Sequence, residues 1–318
     1  MGEKKHEQIM VSVICNAYNH EKYIEKTLQG FVNQETNFKF EVLIHDDAST
    51  DRTAEIIKQY EDKYPSLIKP IYQSENQWKI NPLNVLDIQY SRVNGKYIAL
   101  CEGDDYWIDN QKLQKQVDLL EERTEFMMCV HATYIYEKNK RTGKIQPLKN
   151  DGILKVEDTI RNGGGYIATN SIMFRVDEFK KIPEFMKFYD YTLQIYGALN
   201  GGIFYINEFM SVYNFMTEGS WSRYRKKDID FSVKINSRFI DIYKKLDVYT
   251  DYRYSKLLTE MINKYEAEIL WYKGDLNTLK NNFDFYNTLS RKFKIRLHFR
   301  MLFPHIYNKL WEMRYGLK

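Results

Sequence analysis

Two short segments of the sequence concentrate carboxylate side chains that could do chemistry. In the first, Glu102, Asp104 and Asp105 lie within four residues, directly after the apolar run at residues 97–100. Carboxylate oxygens of this kind suit Mg²⁺ or Mn²⁺, which also take oxygens from substrate phosphates. Gly103 between them would let the backbone approach a ligand closely. The alternative is an acidic turn before the next helix, which needs no ligand.

The second segment has Asp46, Asp47 and Asp51 within six residues. An Asx turn followed by a helix cap would use one of them, so three aspartates exceed what a cap requires. A further polar run at residues 16–20 follows the first apolar segment. If these segments meet, their carboxylates lie close together, which is electrostatically costly unless a cation sits among them.

The elements that must position these residues are predicted strands and helices. Runs rich in β-branched and aromatic residues predict strands at residues 10–15, 40–45, 67–72 and 96–101. Helical periodicity between and after them predicts helices at residues 21–33 and 110–122, with two more in between. This alternation indicates βαβ units and a parallel sheet, in which ligands bind at the carboxyl ends of the strands. The polar segments are therefore predicted to converge at one edge of the sheet.

The remainder of the chain has a different pattern. It predicts strands at residues 127–136, 171–174, 203–206 and 211–215, a turn at residues 141–144 and a helix at residues 191–199. From about residue 229 onward the pattern is nearly all helical. We therefore predict a catalytic domain at residues 1–225 and a C-terminal helical region at residues 226–318.

Composition and motif content exclude several classes of protein. The net charge of +4 is too mild to indicate a nucleic-acid partner. No dinucleotide, P-loop, zinc-protease or serine-hydrolase motif is present. The cysteines lack disulfide or zinc spacing and are expected to be buried thiols. A polar N-terminus and the lack of an apolar stretch of about 18 residues predict a cytoplasmic protein.

Three motifs in order resemble glycosyltransferase family 2. They lie at residues 11–19, 41–53 and 95–107, and each is weak alone. The resemblance covers about residues 8 to 225. It implies the GT-A fold, an α/β, Rossmann-like nucleotide-sugar-binding domain with a mostly parallel sheet, followed here by the C-terminal helical region.

The resemblance also implies roles for the residues of the first two motifs. Tyr18 and its neighbour Asn16 are similar to residues that line the nucleotide-base pocket. Asp47 is similar to the aspartate that binds the base or the ribose, with Asp46 beside it. These four residues are thus expected to bind the donor.

The third motif is similar to the Asp-x-Asp motif of the family. The resemblance implies that Asp104 contacts Mn²⁺ or Mg²⁺ directly, that Glu102 shares the metal and the donor, and that Gly103 lies against the donor. Asp105 is expected to face the sugar or to orient its neighbour. Glutamate at position 102 departs from the usual aspartate, so its role stays open.

Two later residues complete the expected site. Asn170 belongs to a stretch similar to the polar loop that lines the sugar and acceptor pocket. Asp190 stands where the family carries its catalytic base, at the start of a helix, and a helix N-cap is the alternative.

These roles imply inverting, metal-dependent transfer of a sugar from a UDP-sugar to a hydroxyl of a growing glycan, such as a capsule, another cell-surface polysaccharide or a glycoprotein. Two alternatives stay open: a non-catalytic sugar- or nucleotide-binding module on the same fold, and a metal-dependent nucleotidyltransferase.

The C-terminal region allows two interpretations. Residues 292–303 mix basic and bulky apolar side chains in the way that interfacial helices do. One interpretation is peripheral contact with the inner face of the plasma membrane, where a lipid-linked acceptor would lie. The other is ordinary packing, including a homodimer interface through the C-terminal helices.

Overall fold

The computed structural model describes residues 8–187, 190–218, 220, 222–223, 225, 228–282, 286 and 291–315. Its contacts divide the chain into two units, Met1–Thr217 and Glu218–Lys318. The division falls shortly before the boundary predicted after residue 225.

The first unit is built on one mixed sheet. Its strands are β1 (Ile9–Ala17), β2 (Lys39–Asp46), β3 (Ile68–Tyr72), β4 (Tyr97–Leu100), β5 (Tyr106–Trp107), β6 (Met128–Glu137), β7 (Lys140–Ile145), β8 (Gly152–Leu154), β9 (Met173–Arg175) and β10 (Ile203–Asn214). Their order is β3-β2-β1-β4-β9-β6-β10-β5, with β7 paired to β6 and β8 to β10. The pairs among β1 to β4 and the β6–β10 pair are parallel, which confirms the predicted α/β fold.

Helices lie between and after these strands, and the longer ones bury apolar residues. They are α1 (Ile24–Val32), α2 (Thr53–Lys63), α3 (Gln77–Ile80), α4 (Pro82–Ser91), α5 (Lys112–Glu122), α6 (Val156–Asn162), α7 (Val176–Phe179) and α8 (Asp190–Leu199). In α1, Ile24, Leu28 and Phe31 recur at helical spacing and are completely buried in the main core. Burial of each such side chain contributes about 1.5–3 kcal/mol, which fixes α1 beside the end of β1.

Two predictions for this unit are wrong. Residues 141–144, predicted as a turn, lie in β7, and the chain reverses at Lys138 and Asn139, which have positive φ angles of 50° and 62°. Residues 203–215, predicted as two strands, form the single strand β10 up to residue 214. The polar residues between the two predicted strands remain within β10, where the pairing with β6 shifts register on both sides of Phe209. Such a bulge accommodates an extra residue without ending the strand.

The second unit is helical. Its helices are Ile229–Tyr249, Ser255–Lys273, Leu276–Asn281, Arg291–Leu302 and Pro304–Tyr315. The first two pack through stacked aromatic rings, with the centroids of Phe239 and Tyr265 5.4 Å apart. Among the described residues, no helix has both the length and the hydropathy that crossing a bilayer requires.

Candidate active site

Hydrogen bonds join the loops that follow β1 and β2. The backbone N–H of Asn19 donates to Ser49 Oγ at 2.9 Å, and the N–H of Thr50 donates to Asn19 Oδ1 at 2.8 Å. The N–H of His20 donates to Thr53 Oγ1 at 2.7 Å. These bonds hold the two loops as one rigid edge beside the carboxyl ends of the strands.

Asp47 lies beneath the first turn of α3. Its Oδ1 accepts a hydrogen bond from the N–H of Gln77 at 2.6 Å, and its Oδ2 accepts one from the N–H of Trp78 at 3.1 Å. The carboxylate thus satisfies N–H groups that a helix leaves unpaired at its N-terminus. Donor binding by Asp47 stays a prediction.

Asp46 has a different environment, although it is also buried. Its Oδ2 accepts a hydrogen bond from the N–H of Ser49 at 3.3 Å. Its Oδ1 is buried and has no hydrogen-bond partner within the described part of the chain. Burial raises the pKa of Asp46. Because buried polar atoms are almost always paired, this oxygen has an unused capacity to accept a hydrogen bond from a ligand.

Backbone hydrogen bonds fix the acidic segment after β4. The N–H of Gly103 donates to the carbonyl of Asn16 at 2.9 Å. The hydroxyl of Thr27 donates to the carbonyls of Gly103 and Asp105, at 3.0 and 2.6 Å. A Cβ at position 103 would lie 2.8 Å from His20 Nδ1, so glycine is required for this close approach.

Glu102 is influenced by other carboxylates of the site. Its Oε1 accepts a hydrogen bond from Asn16 Nδ2 at 3.4 Å. Burial and, to a smaller extent, the negative charges of Asp104 and Asp190 raise the pKa of Glu102 to about 8. The charges of Asp104 and of Asp190, at the start of α8, therefore both act on Glu102, and we call Glu102, Asp104 and Asp190 the acidic cluster.

The neighbours Asp104 and Asp105 are held from the end of β10. Asn214 donates its side-chain N–H to the carbonyl of Asp104 at 2.6 Å and its backbone N–H to Asp105 Oδ1 at 2.8 Å. The hydroxyl of Thr217 donates to Asp104 Oδ2 at 2.5 Å. Burial raises the pKa of Asp105, whose other oxygen accepts a hydrogen bond from Asn170 at 3.1 Å. Asp105 thus points into the protein interior.

Asn170 is completely buried behind Asp105. Its Nδ2 also donates to the carbonyl of Val212 at 2.9 Å, and its Oδ1 accepts a hydrogen bond from Ser211 at 2.8 Å. Its backbone carbonyl accepts a hydrogen bond from the indole of Trp107 at 3.0 Å. Asn170 therefore orients Asp105, a role that the sequence did not indicate, and its donor contact stays a prediction.

The buried hydrogen-bonded layer continues to a lysine. Lys112 is fully buried, with its ammonium 4.0 Å from the centroid of the Trp107 ring and a 2.7 Å hydrogen bond to Gln116 Oε1. Burial lowers the pKa of Lys112 to about 7. We call Asp105, Trp107, Lys112, Asn170 and Ser211 the buried polar layer.

Asp190 begins α8. Its Oδ1 accepts a hydrogen bond from the N–H of Tyr191 at 2.7 Å, and its Oδ2 accepts one from the hydroxyl of Thr169. Burial raises its pKa, although both hydrogen bonds act in the opposite direction. A carboxylate with a raised pKa accepts a proton near neutral pH more readily than an exposed one.

Several residues that hold the site were missed in the sequence. Thr27, Asn214 and Thr217 act from distant parts of the chain, and nothing local distinguishes them. Gln89 did give a signal, because it lies four residues after Val85 on the buried face of α4. Its amide donates to the carbonyl of Cys15 at 3.1 Å and thereby supports the end of β1.

A cavity of about 330 Å³ lies on the α4 side of the sheet. It is lined by apolar and charged side chains, including Tyr90, Phe179, Asp87, Lys180 and Lys187. Burial raises the pKa of the Tyr90 phenol, and the charges of Glu102 and Asp190 add to this effect. Tyr90 therefore lines the cavity and is influenced by the charges of the acidic cluster.

Two carboxylates of the acidic cluster are candidate ligands for a divalent metal ion. Among the described residues, no group of three or more His, Cys, Asp or Glu side chains is arranged to hold a metal ion. Glu102 and Asp104 supply two hard oxygen ligands, and magnesium in nucleotide-binding sites commonly uses one or two carboxylates together with substrate phosphates. The charge crowding that raises the pKa of Glu102 is what a cation would relieve. These residues fit a metal that binds together with a phosphorylated substrate.

Comparison with curated proteins finds relatives in bacteria. An uncharacterized protein of Mycobacterium tuberculosis is 38% identical over 213 residues, covering 66% of this chain and 60% of the relative. The UDP-Glc:alpha-D-GlcNAc-diphosphoundecaprenol beta-1,3-glucosyltransferase WfaP of Escherichia coli is 31% identical over 130 residues, covering 41% of this chain and 48% of that enzyme. The chain thus spans about half to three fifths of the length of these relatives.

Among solved structures, the chain is similar in fold to Staphylococcus aureus TarS residues 1–349 in complex with UDP. The TM-score is 0.57 at 17% identity, covering 89% of this chain and 76% of the other. The family described as glycosyl transferase family 2 matches residues 12–183, which is more than half of the chain. Motifs, fold and family match agree, and the chain belongs to glycosyltransferase family 2.

Proposed function

We propose that the protein is an inverting, metal-dependent glycosyltransferase that moves a sugar from a UDP-sugar to a hydroxyl group of a growing glycan. The observation that carries this proposal is the acidic cluster at the carboxyl end of β4, where the charges of Asp104 and Asp190 act on Glu102. The names of WfaP and of the TarS complex support a UDP donor. The name of WfaP also supports a lipid-linked glycan as acceptor.

The donor would lie against the ends of β1 and β2. The unpaired Oδ1 of Asp46 would accept a hydrogen bond from the base or the ribose. Tyr18, half-buried with the Lys79 ammonium 5.6 Å from its ring centroid, would form the wall of the base pocket. Asp47 would act indirectly by holding α3 in place beside this wall.

The diphosphate would lie at Glu102 and Asp104. A divalent cation bound there would neutralise the negative charge that develops on the leaving nucleoside diphosphate. The contribution of this chain is orientation: Thr217 and Asn214 fix Asp104, and Gly103 keeps the backbone free of a side chain that would fill the space near His20.

Asp190 would be the catalytic base. It would take the proton from the acceptor hydroxyl as the oxygen attacks the anomeric carbon on the face opposite to the leaving group, which inverts the configuration. Thr169 holds one carboxylate oxygen, so the carboxylate keeps a defined orientation. The cavity beside Tyr90 offers apolar walls and two lysines for the remainder of the acceptor.

The test is an assay of donor turnover over a panel of nucleotide sugars, with and without Mn²⁺. We expect Mn²⁺-dependent release of nucleoside diphosphate from a UDP-sugar, its loss in Asp104→Asn, and retention in Asp62→Asn, a control in an exposed ion pair. NMR of the glycoside product would report the anomeric configuration.

Two results would contradict the proposal. Binding without any turnover would indicate a sugar- or nucleotide-binding module. A product that retains the sugar phosphate would indicate a nucleotidyltransferase.

A further inference from the structure

The positive charge of the chain is concentrated in its last two described helices, Arg291–Leu302 and Pro304–Tyr315, which we call the C-terminal hairpin. Residues 291–315 contain seven Lys or Arg and a single acidic residue, Glu312, whereas the whole chain has a net charge of +4. The rest of the chain is therefore net negative.

One face of the hairpin is used for packing inside the second unit. Leu297 and Tyr307 are buried in a cluster around Trp271. The guanidinium groups of Arg300 and Arg296 lie 4.7 and 5.9 Å from the Trp271 ring centroid. These contacts fix which side of each helix faces inward, and they account for two of the basic residues.

The opposite face exposes large apolar side chains. In the second helix Ile306, Leu310 and Met313 recur at spacings of four and three residues and are 54%, 49% and 64% exposed. In the first helix Ile295 is 61% and Leu302 is 71% exposed, at a spacing of seven. Single exposed apolar residues are ordinary, but such a set on two packed helices forms a continuous apolar surface.

Basic residues border this apolar surface. Arg291 and Lys292 precede Ile295 by four and three residues, and Lys309 follows Ile306 by three, so each lies on the exposed side of its helix. All three are exposed, and no ion pair within the described residues involves any of them. Their charges are therefore available to an external anion.

We propose that the exposed face of the C-terminal hairpin docks on an anionic lipid surface. Its apolar side chains would enter the boundary between headgroups and acyl chains, while Arg291, Lys292 and Lys309 would contact the lipid phosphates. A second copy of the chain fits this face less well. A two-fold interface would bring two hairpins together that each carry seven basic residues and one acidic residue, so their net positive charges would repel each other.

The experiment is cosedimentation of the full chain with vesicles of phosphatidylcholine alone and with 30% phosphatidylglycerol, a fraction chosen to be on the order of that in anionic membranes. We expect binding only to the anionic vesicles. The triple variant Arg291→Gln, Lys292→Gln, Lys309→Gln should bind roughly 100-fold more weakly, since each basic residue near the surface contributes a factor of about five. The double variant Ile306→Ser, Leu310→Ser should lose at least about 10-fold.

The matched control is Ile153→Ser with Val248→Ser, which changes two exposed apolar residues outside the hairpin and should bind like wild type. Donor hydrolysis by every variant should be unchanged, so membrane docking is tested separately from catalysis. Three results would overturn the proposal: equal binding by all variants, loss of binding only in the charge variant, and conversion of a dimer to a monomer by the serine variant without a change in vesicle binding.

Discussion

The acidic cluster and the buried polar layer are adjacent, but they differ in how far their polar groups have partners within the protein. In the buried polar layer, both oxygens of Asp105 and the whole amide of Asn170 have partners within the protein. In the acidic cluster, burial and the negative charges of Asp104 and Asp190 raise the pKa of Glu102. Carboxylates that repel one another are typical of ligand-binding sites, because a bound ligand can compensate their charge. Polar groups that only support other residues have their hydrogen-bond partners within the protein.

The first prediction separates the two regions by activity. Asp190→Asn should lower kcat about 10³-fold, because it removes the group that accepts the proton, while the melting temperature stays the same or rises. Steady-state assays with a soluble acceptor and calorimetry would measure both quantities. Asp118→Asn, an exposed change on α5, is the control. A variant that keeps more than about a tenth of the wild-type kcat would exclude Asp190 as the base.

The second prediction concerns stability of the buried polar layer. Asn170→Ala should lower the free energy of unfolding by roughly 3 kcal/mol, because Asp105 and Ser211 lose buried partners. Activity should fall with it, since Asp105 loses its orientation. Urea unfolding compared with the exposed change Gln59→Ala would test this. A loss of stability below about 0.5 kcal/mol would show that Asn170 does not anchor the layer.

The third prediction compares two neighbouring aspartates. Asp47→Ala should cost about 1–2 kcal/mol of stability, as the loss of a helix cap does, because α3 loses both N–H partners. Asp46→Asn should leave stability unchanged or higher, yet raise the KM for the donor, because its unpaired oxygen is the one available to a ligand. Chemical unfolding would measure the stability of both variants, and donor titration would measure their KM. A loss of stability in Asp46→Asn with a raised KM in Asp47→Ala would show that Asp46 supports the fold and Asp47 binds the donor.

The smallest expected effect is the pH dependence that Lys112 contributes. Since the pKa of Lys112 is about 7 in the folded protein and near 10.5 when unfolded, only the unfolded chain is protonated between these values, so stability rises with pH. Lys112→Met should remove up to about 1.4 kcal/mol of this rise between about pH 7.5 and 8.5.

Lys115 provides the matched control: partial burial lowers its pKa, but hydrogen bonds to Asp109 and Glu208 outweigh this effect, so the pKa is raised. The stability that Lys115 contributes is fully present below the pKa that it has in the unfolded chain. It is lost only as the pH rises through the higher pKa that Lys115 has in the folded protein. Lys115→Met should therefore leave the slope over the same pH unit unchanged. Equal slopes for wild type and Lys112→Met would show that Lys112 is charged in the folded protein.

Local sequence patterns predicted the strands of the βαβ region and the acidic segment at the end of β4. Those features depend on side chains a few residues apart, where periodicity carries the information. The support of Asp105 by Asn170 and Asn214 depends on strand order in the sheet, which periodicity does not encode. The predicted turn at residues 141–144 was wrong for a related reason: β-pairing with β6 overrode local turn propensity.

The hydrogen bonds from Asn214 to the acidic segment have a consequence for synthesis of the protein. This contact joins residues 110 positions apart, and its donor ends the last strand of the sheet. A nascent chain that has emerged only as far as α8 already contains every residue of the acidic cluster, but it lacks the end of β10 that holds Asp104. The acidic segment therefore takes its final orientation only once β10 is complete, late in the synthesis of the first unit.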